Sequence, residues 1–251
     1  MNIDTTTDKF LGGRLFIRQP KHGYRAGIDP VLLAASIPAK PGDSILEIGC
    51  GVGVASLCLA HRIDGLQVMG LEILPQIAQL ARDNARQNGL VMQVLAGDIA
   101  DMPPKLRDLQ FDHVMANPPY FDRRRGSEAT GTLKERSRGE HTPLTVWTQA
   151  AGRRVKPKGF VHFIFRTERL PELLQALPSS LGSVEVIPLV PRTKKPSELM
   201  ILSARKAGRA AFKLLPEIVM HEGKNHSKDE PDYTLNLISV LRNGHALAKD
   251  I

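Results

Sequence analysis

The chain has 251 residues, 42% hydrophobic and 24% charged, the make-up of a folded globular protein rather than a disordered or fibrous one. No apolar run approaches the roughly 20 residues that span a bilayer, and the first eight residues lack the basic start and apolar stretch of a secretory signal, so the cytoplasm is the expected location. An excess of 34 Lys and Arg over 26 Asp and Glu gives +8 and favours an anionic partner such as nucleic acid, while two cysteines and eight scattered histidines argue against a disulfide framework or a metal site.

In chain order, residues 1–43 precede any sheet and hold one predicted helix, 30–36, opened by Asp29-Pro30. From residue 44 strand-like and helix-like runs alternate, the pattern of a parallel sheet with crossover helices. Strands are predicted at 44–48, 67–71, 92–96, 111–116 and 159–165, and helices at 54–62, 75–88 (closed by Gly89), 144–154 and 170–177. Runs 184–190 and 199–204 are expected to pair as an antiparallel hairpin around a Pro- and Lys-rich loop. The tail from 211 is read as a short strand and a helix near 233–241. Cys50, Cys58 and Trp147 read as core. No composition shift demands a second domain.

The first strand runs into Glu47-Ile48-Gly49-Cys50-Gly51-Val52-Gly53. Glycines let a backbone turn tightly and approach a ligand with no Cβ in the way, and the following helix points its positive end at that ligand. A dinucleotide fingerprint would place its third glycine at position 54, where this chain has Val54, and no phosphate-loop lysine follows. Glu47 stands two residues before the first glycine, where an acid reaches an ammonium group. Glu72 closes the second strand, where a carboxylate accepts both ribose hydroxyls. Asp98 closes the third. Three acids at the carboxyl ends of successive strands mark the edge at which open α/β sheets bind ligands.

Asn117-Pro118-Pro119-Tyr120 ends the fourth strand. Two prolines hold the backbone extended, so the Asn117 side-chain oxygen and the Pro118 carbonyl can point outward as acceptors beside the Tyr120 ring. That arrangement suits a planar –NH2 group: adenine N6, cytosine N4 or a glutamine amide. Residues 121–160 then hold ten Lys or Arg against four acids, a balance of +6. Arg123, Arg124, Arg125, Lys134, Arg136 and Arg138 lie in a long polar connection, 122–142, that lacks periodicity and is expected to order only with RNA.

The acid-x-Gly-x-Gly-x-Gly run after a first strand resembles motif I of the class I S-adenosylmethionine (SAM) methyltransferases. That resemblance implies a Rossmann-like α/β fold: a mostly parallel seven-stranded sheet, helices on both faces and a closing antiparallel hairpin. It also implies SAM held by Glu47, Gly49, Gly51, Gly53, Glu72 and Asp98, the last at the adenine amino group. Asn-Pro-Pro-Tyr resembles motif IV of the amino-methyltransferases, which implies catalytic roles for Asn117, Pro118 and Tyr120, with Asn117 also beside SAM. His22-Gly23-Tyr24-Arg25-Ala26-Gly27-Ile28-Asp29-Pro30 and Pro231-Asp232-Tyr233-Thr234 resemble segments of the tRNA1(Val) adenine-N6 methyltransferase family. In that family the first segment closes the SAM site, so Tyr24 and Asp29 are expected there, with residues 1–43 as a closing segment on a methyltransferase domain at 44–251. The implied reaction is N6-methylation of a tRNA anticodon-loop adenosine, without metal or membrane. The long Arg-rich connection departs from the family. Two rival readings are a protein glutamine N5-methyltransferase, which usually carries a larger N-terminal helical domain, and a non-catalytic SAM-responsive RNA-binding protein.

Overall fold

Parallel strands that are apolar on both sides of the pleat need helical cover on both faces. A computed structural model of the chain, describing residues 3–119, 142–223 and 232–248, provides that cover. Across the main sheet the order is β5 (Met92–Ala96), β4 (Gln67–Glu72), β3 (Ser44–Ile48), β6 (Phe111–Ala116), β7 (Val155–Arg166), β9 (Leu199–Lys206) and β8 (Leu181–Val190). All run parallel except β9, which is inserted antiparallel between β7 and β8. Two-residue strands β10 (Lys213–Leu214) and β11 (Ile218–Val219) pair with β8, extending the expected seven strands by two short pieces.

Alternating side chains of one strand enter two separate cores. Ile45 of β3 packs with residues of α1 (Asp29–Ser36), α2 (Val54–Arg62) and α3 (Pro75–Gln87), such as Leu32, Leu57 and Ala81. Its neighbours Leu46 and Ile48 pack on the other face with Leu106 of α4 (Pro104–Arg107), Trp147 of α5 (Leu144–Arg154) and Leu173 of α6 (Leu170–Ala176). Helix α3 ends where Gly89 takes φ 65°: Gly89 N–H donates to Arg86 O and Leu90 N–H to Ala85 O, the paired bonds of a Schellman stop. The final helix α7 (Leu235–Asn243) starts on Thr234, whose side chain accepts from Leu237 N–H.

The chain's start departs from expectation. Residues read as preceding any sheet form a hairpin, β1 (Thr5–Phe10) with β2 (Leu15–Pro20). The outer edge of β2 is covered by side chains rather than by a strand. Asn84 Oδ1 accepts from Arg18 N–H and its Nδ2 donates to Arg18 O; Asn88, one turn on, does the same for Phe16. The two amides, at i and i+4 on α3, stand where a third strand would pair. Asn84, fully buried, also donates to Val52 O in the glycine loop.

Among the described residues no helix is long and apolar enough to cross a membrane, and no group of three or more His, Cys, Asp or Glu could hold a metal ion.

Candidate active site

The glycine loop is tied to the end of β4. Gly49 and Cys50 N–H groups both donate to Leu71 O (2.8 and 3.0 Å), and Gly51 N–H donates to Glu72 Oε2 (3.0 Å). The glycines have different reasons to be glycine. A Cβ on Gly49, at φ 68°, would stand 2.6 Å from the Trp147 ring, so this position is fixed by packing under α5. A Cβ on Gly51, at φ 53°, would meet nothing within 4 Å, so this glycine answers to its left-handed backbone rather than to packing. Gly53 is the N-cap of α2 and offers no side chain to cap it.

Glu47 fills that capping role from β3. Its Oε2 accepts from Ser56 N–H (3.0 Å) and Ser56 Oγ (2.5 Å), at the third position of α2. The residue is 3% exposed; burial, with Glu72 nearby, pushes its carboxyl up to about 7 against the pull of the Ser56 donors. Glu72 is 8% exposed, and each of its oxygens accepts one backbone N–H, Oε1 from Leu74 and Oε2 from Gly51. Burial raises its pKa while those donors restrain it. These bonds fix the plane of the Glu72 carboxylate, and each of its oxygens has more than one lone pair with which to accept. Asp98 follows β5 in a half-buried turn, its Oδ1 accepting from Ala100 N–H.

Asn117 leaves β6 one strand from Glu47, on the far side of β3 from β4. Its Nδ2 donates to the Tyr24 hydroxyl at 3.5 Å, and its Oδ1 accepts no hydrogen bond among the described residues. Tyr24 lies in the segment between β2 and α1. That segment is held by Gln19, which exchanges two hydrogen bonds with Ala26, and by Arg25, which reaches Asp8, Thr6 and Pro20 O. Although 43% of Tyr24 is exposed, its hydroxyl end is turned inward. Desolvation there, with the carboxylates of Asp29 and Glu47 close by, pushes it up to about 12. Sequence positions 24, 29, 47 and 117 are thus neighbours in space. Pro118 is buried directly after Asn117. Tyr120 and the basic residues Arg123, Arg124, Arg125, Lys134, Arg136 and Arg138 lie outside the described residues, as does most of the connection 122–142.

Of the ten basic residues in 121–160, four are described. Arg153, Arg154, Lys156 and Lys158 sit at the amino edge of the sheet, opposite Asn117. There Arg154 donates to Leu106 O and Leu109 O, and Lys156 pairs with Asp112 at 2.8 Å. A helix returning between parallel strands must end at that edge, so these four cannot share a surface with the acceptor site. Sequence reasoning also missed Ser56, Asn84 and Gln19. Of these, Asn84 had a signal: it occupies the apolar stripe of α3 made by Ile77, Leu80, Ala81 and Ala85.

The parallel sheet with one reversed strand, its acid-tipped carboxyl edge and its glycine turn define a class I SAM-dependent methyltransferase. A methyltransferase domain family matches residues 45–136. The tRNA1(Val) (adenine(37)-N6)-methyltransferase of Actinobacillus succinogenes is 28% identical over 93% of this chain and 95% of its own length. The enzyme of the same name from Porphyromonas gingivalis is 33% identical over 66% of this chain and 68% of its own length. Among solved structures, a predicted O-methyltransferase from Agrobacterium tumefaciens superposes with a TM-score of 0.71 at 23% identity, covering 89% of this chain and all of the other, a likeness of fold alone. The chain belongs to the class I SAM-dependent methyltransferases and, within that class, to the family these two relatives represent. Its cofactor is SAM.

Proposed function

We propose that this enzyme methylates adenine N6 in RNA, with a tRNA anticodon-loop adenosine such as position 37 as substrate. The observation that carries the reading is the Asn117 amide, whose nitrogen donates to Tyr24 while its oxygen accepts nothing among the described residues, at the sheet edge that also bears Glu47 and Glu72. The name shared by the relatives supports the same target.

When bound, SAM supplies an electrophilic methyl group. Glu47 would face its ammonium, Gly49, Gly51 and Gly53 its amino-acid part, Glu72 its ribose and Asp98 its adenine, with Tyr24, Asp29 and the rest of residues 1–43 closing over it. The target nitrogen is a poor nucleophile because its lone pair is delocalised into the ring. Asn117 Oδ1 and Pro118 O would accept its two N–H bonds, favour a pyramidal nitrogen and aim the lone pair. Rate enhancement then comes from orientation and fixed dipoles, not from a strong base, since the N–H becomes acidic only after methyl transfer. Tyr120 would stack on the target ring, worth roughly 1–3 kcal/mol. A loop base is reached without unpairing a duplex, and the basic connection after Tyr120 would hold its phosphates. A tRNA substrate would make this a cytoplasmic enzyme.

The test is labelled SAM with total cellular RNA and total protein, followed by nucleoside mass spectrometry. N6-methyladenosine in the tRNA fraction is the expected product. Label that appears only in protein, as N5-methylglutamine, overturns the reading.

A further inference from the structure

The loop 191–198, between β8 and β9, is Pro- and Lys-rich in sequence. The structure makes it a braced platform. At one end the Arg192 guanidinium is held by the Asp232 carboxylate and by the carbonyls of Glu222 and Gly223. Asp232 also pairs with His221 (2.7 Å), whose ring stacks on Tyr233 at 4.7 Å between centroids. The Asp232-Tyr233-Thr234 segment thereby fastens the chain's tail to this loop. At the other end Ser197 Oγ donates to Leu199 O (2.6 Å) and meets the Thr167 hydroxyl (2.8 Å), and Thr167 N–H donates to Glu198 O (3.0 Å).

Between the braces, Lys195 N–H closes a turn on Arg192 O, and Lys194 adopts φ 64°. A left-handed backbone is where glycine or asparagine is expected, so a lysine there is held against its own preference. Lys194 and Lys195 are exposed and adjacent, and neither is ion-paired among the described residues. The loop leaves the sheet at its carboxyl edge. With strands about 4.8 Å apart, it stands two to three strand spacings, roughly 10–15 Å, from the end of β6 that bears Asn117. It lies on the side away from β4 and β5, which carry Glu72 and Asp98.

We propose that this loop is a second RNA contact, in which Lys194 and Lys195 take backbone phosphates near the methylated nucleotide and the Arg192–Asp232 pair is the positioning device. This rests on the RNA reading above. Two adjacent cations with no large exposed hydrophobic among the described residues of the loop fit a polyanion better than a protein surface.

The experiment compares the full-length protein with a Lys194→Asn/Lys195→Gln variant, since asparagine tolerates the left-handed turn while the charges are removed. Binding of unfractionated tRNA is measured across salt concentrations, with SAM affinity and thermal midpoint as folding controls. The expected result is a tRNA Kd raised on the order of tenfold at low salt and a salt slope reduced by about 1.4–1.8, with both controls at wild-type values. Should the double variant lose its thermal midpoint, Lys195→Gln alone carries the test, with about half that change in slope. If the wild type methylates tRNA and the variant keeps both Kd and slope, the loop proposal falls while the function stands. If the wild type binds no tRNA and labels protein instead, both fall together.

Discussion

The two edges of the sheet use the same residue types in opposite ways. At the amino edge, Asp112 accepts from Ser44 N–H and Oγ and pairs with Lys156; burial works against its carboxylate, but these donors outweigh it and hold the pKa at about 2. At the carboxyl edge, Glu47 and Glu72 are more buried than Asp112, are not ion-paired among the described residues, and are satisfied only by backbone and hydroxyl donors. Their pKa values move up. One edge has completed its electrostatics within the chain. The other holds carboxylates in place with lone pairs to spare, the condition of a site that finishes itself with a ligand.

Breaking the carboxyl edge should cost function, and the largest loss is expected from Asn117→Ala. Steady-state methyl transfer should fall by about 10²–10³ or more, with SAM affinity nearly unchanged, if the amide acts on the methyl acceptor as proposed. Undiminished turnover would exclude the acceptor role. Glu72→Ala is expected to raise the calorimetric Kd for SAM on the order of 10–100-fold, since it removes the proposed ribose acceptor and unties Gly51 together. An unchanged Kd would mean that Glu72 only braces the loop. Next comes pH. A carboxyl raised from 4.5 to about 7 in the folded state makes the ligand-free protein lose stability as pH climbs from about 4.5 to 7, since the unfolded chain gives up that proton first. A SAM ammonium beside Glu47 would favour the ionised form, so SAM affinity should rise with pH up to about 7, and Glu47→Gln should flatten that rise. The smallest effect is expected at the amino edge. Lys156→Ala, on a pair more than a third exposed, should cost about 0.5–1 kcal/mol in denaturant melts and leave methyl transfer and tRNA affinity alone. The stability that depends on ionised Asp112 is present above about pH 3.8 and is lost as pH falls through about 2.

The central elements were legible because pattern and punctuation agreed. The helices at 54–62 and 144–154 and the strands at 44–48 and 111–116 fall where apolar periodicity and flanking Gly or Pro place them. Three acid tips and Asn117 followed from the same rule, because parallel strands must all end at one edge. The N-terminal hairpin did not follow. Its edge partners are two asparagines some seventy positions away, and no local alternation reports that. Nor does spacing show that Gly49 makes room for Trp147, that Ser56 engages Glu47, or that the crossover helix carries Arg153, Arg154, Lys156 and Lys158 to the amino edge. These are consequences of chain direction and packing, which a linear pattern does not carry.

The amide of Asn84 has a thermodynamic consequence. By bonding Arg18 and Val52 together it makes the hairpin and the glycine loop parts of one opening unit. The hairpin should therefore sense the cofactor without touching it. Amide hydrogens of Phe16 and Arg18 should exchange more slowly once SAM is added, and Asn84→Ala should abolish that slowing while exchange in β5 still responds. A hairpin whose exchange ignores SAM in the wild type would show the two to be independent.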